Sequence, residues 1–264
     1  MYKIGILGLG KMGSAILEGV IKKGVYKKSE IFLYTLSEEK KESYKNNGFF
    51  IAENELDLFN NSQIIIIAIK PQKFDEVLSV AKDYDYKDQC ILSIAAGKSI
   101  KTIESFFKNA IVVRAMPNTP ALIAEASTTI CFNKYNKLIE DVKSIFESIG
   151  IVEEIAENQM DESLPLNGSM PAYLYLFVKS FIDNGVKLGL DYEVCKKLCC
   201  NAVIGSSKMI LESKDDIDTL ISNVCSKGGT TIAGLNELYD NNFIEAINRC
   251  FMACVKRSKE LNET

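Results

Sequence analysis

Histidine is absent from all 264 residues. The commonest general acid–base side chain and the usual nitrogen ligand of zinc are therefore both missing. Cysteine occurs eight times, yet no two are spaced C-x-x-C, which argues against a zinc site of Cys/His type. The densest group, Cys195, Cys199 and Cys200, puts its first two thiols at i, i+4 spacing on one helix face. In a cytosolic chain these are expected to be buried or half-buried free thiols that pack as small hydrophobes, the alternative being a redox pair. No apolar stretch approaches the roughly 20 residues needed to span a bilayer. The N-terminus runs from Met1-Tyr2-Lys3 directly into an apolar run, with no charged leader or cleavable segment. A cytoplasmic protein with no membrane partner is expected. The 31 basic and 35 acidic residues leave a net charge of −4 with no long run of either sign, unlike a nucleic-acid binder. Small molecules are the expected partners. Internal repeats, low-complexity tracts and long linkers are also absent.

What is there is apolar and ordered in its pattern. Hydrophobic residues make up 47% of the chain, enough for a large core in one or two domains. Short β-like runs fall at 3–7, 31–34, 48–51, 64–69, 90–94, 111–115, 127–132 and 152–155, with helical stretches between them. The run Gln63-Ile-Ile-Ile-Ile-Ala-Ile69 shows no alternation, as expected of a strand covered on both faces of a parallel sheet. Such an order predicts βαβ units and a doubly wound sheet. After about residue 157 the strand signal stops, and helical spacing governs 171–188, 192–212 and 243–261. Phe243, Ile244, Ile247, Phe251 and Met252 lie on more than one face of the last helix, as in a helix buried in a large core or paired with a second subunit, the pairing being the favoured reading. The stretch 225–234, "CSKGGTTIAG", interrupts this helical half with three glycines and two adjacent threonines.

Near the N-terminus, "KIGILGLGKMGSAILEG" places Gly8-x-Gly10-x-x-Gly13 between the first strand and the first helix. A tight turn, close approach of a pyrophosphate and helix-to-strand packing each call for one of these glycines. The helix N-terminus adds free N–H groups and a positive dipole for phosphate. Where a NAD-selective site has an acid about 20 residues further on, this chain has Thr35 and Ser37, followed by Lys40 and Lys41. That pattern favours NADP, with NAD as the alternative if the lysines are only a solvated helix face. Ala68-Ile-Lys-Pro-Gln72 and Ser93-Ile-Ala-Ala-Gly97 end two strands at the edge where such sheets meet ligands.

The motifs "GLGKMGSAI", "AIKPQ", "SIAAG", "RAMPNTPALIAEA", "NGSMPAYLYLF" and "SKGGTTIAGL" occur in this order. With them the chain resembles the pyrroline-5-carboxylate reductases over residues 1–261. The resemblance implies an α/β fold class: an N-terminal Rossmann-type doubly wound sheet over 1–157, then an all-α substrate and dimerisation domain over 158–264. It implies reduction of 1-pyrroline-5-carboxylate to L-proline, the last step of proline synthesis, with NADP (or NAD) as cofactor. It also implies a homodimer or a ring of dimers. Carried over by position, Leu7, Gly8, Leu9, Gly10, Lys11 and Met12 would line the dinucleotide. Thr35, Ser37, Asn54, Ala68, Ile69, Lys70, Pro71, Ala95 and Ala96 would complete that lining, and Met116, Pro117, Asn118 and Thr119 would sit beside the nicotinamide. Glu157, Asn223, Gly228, Gly229, Thr230 and Thr231 would surround the substrate, with Thr231 as the catalytic residue facing the ring nitrogen.

Several positions depart from the pattern. Asn167-Gly-Ser-Met-Pro-Ala-Tyr173 stands where Ser-Gly-Ser-Gly-Pro-Ala-Tyr is usual, Lys227 replaces a proline, and Ala124 and Ala126 replace glycines. The chemistry nevertheless suits a chain without histidine. A cyclic imine acid needs a hydride held over its carbon, a donor near its nitrogen and an anchor for its carboxylate. A threonine hydroxyl can serve as that donor. Gly228 and Gly229 can turn successive N–H groups toward a carboxylate, beside the dipole of a helix beginning near Thr231. On composition alone Thr230 or Thr231 is equally an N-cap for a helix over 232–239. Two alternatives to the main reading are an imine reductase acting on a six-membered ring, and a non-catalytic dinucleotide-binding sensor of the same fold.

Overall fold

The computed structural model describes residues 1–262. In the N-terminal part the elements are β1 (Tyr2–Leu7), α1 (Lys11–Lys23), β2 (Ile31–Tyr34), α2 (Glu38–Asn46), β3 (Phe50–Ile51), α3 (Glu55–Asn61), β4 (Ser62–Ile67), α4 (Phe74–Leu78), β5 (Cys90–Ser93), α5 (Ile100–Glu104), β6 (Ile111–Met116), β7 (Ala126–Phe132), α6 (Leu138–Glu147), β8 (Gly150–Glu154) and α7 (Met160–Ser163). The strands form one sheet in the order β3-β2-β1-β4-β5-β6-β7-β8. Every pair is parallel except β6 with β7. All eight expected strand regions are in this sheet.

The isoleucine run of β4 shows how the sheet is held. Ile64 and Ile66 join the hydrophobic cluster on one face, with Ile16 and Val20 of α1 and Val142 and Phe146 of α6. Ile65 and Ile67 join the other cluster, with Leu58, Phe59 and Phe74. Neither face of β4 meets water, so the strand carries no polar alternation. Burying each of these side chains contributes about 1.5–3 kcal/mol relative to exposure. Strand order reverses direction between β1 and β4, the kind of switch point at whose carboxyl edge ligands bind.

Five helices follow: α8 (Met170–Lys187), α9 (Tyr192–Glu212), α10 (Ile217–Val224), α11 (Thr230–Asp240) and α12 (Phe243–Asn262). The chain divides into two compact units, one of Met1–Pro171 with the residues from Cys254 onward, the other of Ala172–Ala253. The strand signal ends at β8, but Met160 is buried in the sheet's own core, so the first unit runs past it. The end of α12 is fastened within that unit, where Ser258 Oγ donates to Asp161 Oδ1 at 2.6 Å and Lys259 pairs with Glu162 at 2.7 Å.

The second unit has little core of its own. Among its residues only Ile182 and Cys195 are buried, while Leu198, Ile204, Met209, Ile244, Ile247 and Met252 are exposed. Helices apolar on several faces cannot complete a core within 82 residues of one chain. All eight cysteines are free thiols; Cys195 is buried and Cys199 half-buried, but Cys200 is exposed, contrary to the expectation for this trio. No helix among the described residues is long and apolar enough to cross a membrane.

Candidate active site

The three glycines after β1 have separate duties. Gly8 has φ 98°, and a Cβ there would lie 2.6 Å from the Ala68 carbonyl oxygen. A Cβ on Gly13 would lie 2.1 Å from the Gly8 carbonyl oxygen. These two shape the turn and the helix packing. Gly10 is different, since nothing lies within 4 Å of where its Cβ would be. It is the N-cap of α1, and no side chain caps that helix. Open space above bare N–H groups at a helix start is the arrangement a pyrophosphate fills.

A cleft of about 480 Å³ opens here, lined by Leu7, Gly8, Leu9, Gly10, Thr35, Ser37, Ala68, Ile69 and Lys70 from the expected set. Ala68 is tied to the first strand by its N–H donating to the Leu7 carbonyl at 2.8 Å, which sets the two strand ends side by side. Ser37 caps α2 by accepting from the Lys40 N–H at 3.3 Å. The Lys40 ammonium reaches the Leu9 carbonyl at 2.5 Å and lines the cleft, whereas Lys41 pairs with Glu38 at 2.7 Å. Lys11 and Met12 are in the first turn of α1, and Pro71 opens a 3₁₀ turn beyond Lys70. Asn54 caps α3, its Oδ1 accepting from the Asp57 N–H at 2.9 Å. Tyr34, Glu55, Lys73 and Glu76 also line the cleft and were not expected from sequence. Tyr34 ends β2, the one signal that pointed to this edge. Burial, and next the Glu55 carboxylate, hold the Tyr34 hydroxyl above its ordinary pKa.

Further along the same edge, Ala95 is buried and Ala96 exposed after β5, with the Ala95 N–H donating to Ser93 Oγ at 3.3 Å. Met116, the last residue of β6, is buried, as are Pro117 and Asn118 after it, and Thr119 is exposed. Glu157 Oε1 accepts from the Ile100 N–H at 2.7 Å and lies 3.9 Å from the buried Arg114 guanidinium. Arg114 also lies 3.7 Å from Asp161, and its Nε has no hydrogen-bond partner among the described residues.

The glycine stretch of the helical unit also ends at a bare helix start. Side chains cap α2, α3, α5, α9 and α10 through Ser37, Asn54, Ser99, Asp191 and Asp216. By contrast α11 begins on Gly229 with no side-chain cap. Thr230 and Thr231 are its first two residues, so neither is the N-cap that composition allowed. Gly228 takes φ 70°, and the Gly229 N–H donates to the Ser226 carbonyl at 2.9 Å, which tightens the turn. Asn223 and Thr231 line one cleft of about 530 Å³. The Thr231 hydroxyl and the Asn223 carboxamide make no hydrogen bond among the described residues. Lys227 is exposed without an ion pair among them, and Met170, the first residue of α8, is 40% exposed.

Two family descriptions match this chain: "Pyrroline-5-carboxylate reductase dimerisation" over residues 157–261 and "NADP oxidoreductase coenzyme F420-dependent" over 3–97. The chain is 34% identical over 266 residues to the pyrroline-5-carboxylate reductase of Escherichia coli (strain K12), covering 99% of both chains. It is 33% identical over 271 residues to pyrroline-5-carboxylate reductase 2 of Bacillus subtilis (strain 168), covering 100% of this chain and 96% of that protein. Among solved structures it is similar to the Plasmodium falciparum pyrroline carboxylate reductase with NADP bound. That likeness has a TM-score of 0.89 and 35% identity, covering 99% of this chain and 98% of the other. The pyrroline-5-carboxylate reductase of Coxiella burnetii is similar with a TM-score of 0.90 and 29% identity, covering 100% and 99%.

Proposed function

The chain belongs to the pyrroline-5-carboxylate reductase family, and from that premise we propose that it reduces 1-pyrroline-5-carboxylate to L-proline with NADPH, the final step of proline biosynthesis. The cofactor supplies the hydride that reaches the imine carbon. The protein's own groups do the rest. The main-chain N–H groups after Gly10 hold the pyrophosphate, and Thr35, Ser37 and Lys40 face the adenosine ribose and its 2′-phosphate. Ala68, Ile69, Lys70, Ala95 and Ala96 form the wall between that end and the nicotinamide, which rests against Met116–Asn118.

At the substrate end, the N–H groups of Gly229, Thr230 and Thr231 suit the carboxylate, helped by the positive end of α11. Thr231 donates its hydroxyl hydrogen bond to the ring nitrogen and holds the proton path to water as the amine forms. Asn223 shares the Thr231 cleft and binds beside it. Glu157 supports the substrate end through Arg114 and the start of α5. Two copies pair through the helical unit, whose exposed apolar faces support that pairing, as a homodimer or within a ring of dimers. The eight free thiols suit a reducing cytoplasm.

One observation carries the reading: α1 and α11 both start on glycine with no side-chain cap, which supports a pyrophosphate at the first and a carboxylate at the second. The test is Thr231→Val against Thr231→Ser in steady-state kinetics. Valine is expected to lower kcat by about 10–100-fold, the range of one well-placed donor, while serine stays within about threefold of wild type. A valine variant with wild-type kcat would overturn the assignment.

A further inference from the structure

The side chains of Asn118 and Asn167 hold each other's segments. Asn167 Nδ2 donates to the Met116 carbonyl at 2.8 Å and to Thr129 Oγ1 at 3.3 Å. In return Asn118 Nδ2 donates to the Asn167 carbonyl at 3.1 Å and to Ser127 Oγ at 3.4 Å. Asn118 Oδ1 accepts from the Ser127 N–H at 3.0 Å, and Asn167 Oδ1 accepts from the Gly168 N–H. Asn118 is 8% exposed and Asn167 5%. Both N–H donors of each carboxamide are used inside the protein, and each oxygen accepts one bond there. The Asn118 side chain therefore has no N–H left to donate to a ligand.

The position of this clamp matters. It closes on Met116-Pro117-Asn118, the turn at the carboxyl end of β6. In strand order β6 is the third neighbour of β1 by way of β4 and β5. Three spacings of about 4.8 Å put it roughly 14 Å from the glycine turn, at the far end of the edge. Pro117 has no N–H, so it donates no main-chain bond to hold this turn. Asn167 supplies the missing constraint, and it stands where the resembled pattern has a serine, whose shorter side chain carries a single donor.

We propose that Asn167 is a positioning residue for hydride transfer, which through Met116 and Asn118 fixes the turn that supports the nicotinamide. The proposal rests on the reductase reading above. Loss of the clamp removes a buried donor from the Met116 carbonyl and from the Thr129 hydroxyl, which keeps only a 3.5 Å contact with Ser163 Oγ, and the turn shifts. A displacement of about 1 Å at a reacting group is enough to cost on the order of a hundredfold in rate.

The test uses the full chain and its variants Asn167→Ala, Asn167→Asp, Asn118→Ala and the Asn118→Ala/Asn167→Ala double. Each is followed by thermal melting, by NADPH fluorescence and by kinetics with pyrroline-5-carboxylate, well below its melting temperature. Each single variant is expected to lose about tenfold or more in kcat, with KM for the imine acid within about threefold. The double variant should lose no more than the worse single one, because both cut the same clamp. Emission from bound NADPH should also differ from wild type, since its nicotinamide sits against a moved wall. Folded single variants with lower melting temperature but wild-type kcat and emission would overturn the proposal, as would losses that multiply in the double. If Asn167→Ala fails to fold, Asn167→Ser decides by the same readouts. A wild-type chain that binds NADPH but does not turn over pyrroline-5-carboxylate counts against the reductase reading, and the emission comparison then decides the positioning role.

Discussion

Replacing Lys40 by alanine is expected to weaken NADPH binding and spare NADH. Lys40 and Lys41 are consecutive on α2, yet only Lys40 sends its ammonium into the cleft, where it meets the Leu9 carbonyl at 2.5 Å. Lys41 is held by Glu38 at 2.7 Å and lies over the Tyr34 ring at 5.3 Å. A 2′-phosphate entering beside Ser37 finds Lys40 free to exchange a carbonyl for a dianion. A hydrogen bond between charged groups is worth about 1.5–3 kcal/mol. Giving up the Leu9 carbonyl offsets part of that, which places the net effect near 1.4 kcal/mol, or about tenfold in Kd. Fluorescence titrations of both nucleotides with Lys40→Ala and Lys41→Ala measure it directly. Lys40→Ala should raise the NADPH Kd about tenfold and leave NADH within about twofold, while Lys41→Ala changes either by less than about threefold. The difference should shrink as salt screens the charges. Equal losses from both lysines, or equal weakening of both nucleotides by Lys40→Ala, would rule out Lys40 as the 2′-phosphate ligand.

Two further outcomes concern stability and thiol chemistry. Ala124 sits at φ 60° and ψ 34°, so Ala124→Gly removes about 1–2 kcal/mol of left-handed strain against about 0.4–1 kcal/mol of added chain entropy. Denaturant melts should show a gain of about 0.5–1 kcal/mol, whereas Ala126→Gly, in the buried start of β7, should lose about as much. Burial pushes the Cys131 thiol up to about 11 and the Cys90 thiol higher still. Neither should react with a thiol reagent at pH 8 until the protein is unfolded, while the exposed Cys200 is not protected by burial within its own chain. Because the unfolded Cys131 thiol ionises near its ordinary 9.0, its contribution to stability is complete below that pH and is lost as pH rises through about 11.

The fold was legible where side-chain chemistry repeats. The uninterrupted isoleucines of β4 announced a strand covered on both faces, and the Gly8-x-Gly10-x-x-Gly13 spacing announced the turn. The reversal of β7 was not legible, because Ser127-Thr-Thr-Ile-Cys-Phe132 has the same composition in either direction. Nor was α10, whose eight residues are too few for a helical period to stand out, although Asp216 caps it by accepting from the Thr219 N–H at 2.8 Å. At the site, motif positions located the cleft-lining backbone but not the side chains that enter it from outside the motifs. Glu55, Lys73 and Glu76 arrive there only through tertiary packing. Asn54 carries an N-cap signal and a ligand signal in the same residue, and geometry is needed to see the cap. The Asn118 and Asn167 clamp joins residues 49 positions apart, a separation at which sequence gives no sign of a pair.

The most direct measurement is proline itself. Purified full-length protein is incubated with NADPH and 1-pyrroline-5-carboxylate, with proline quantified by mass spectrometry beside the fall in NADPH absorbance. L-proline should form mole for mole with NADPH consumed, and its formation should fall in Thr231→Val. Protein that binds NADPH yet forms no proline above the enzyme-free control would contradict the reductase reading.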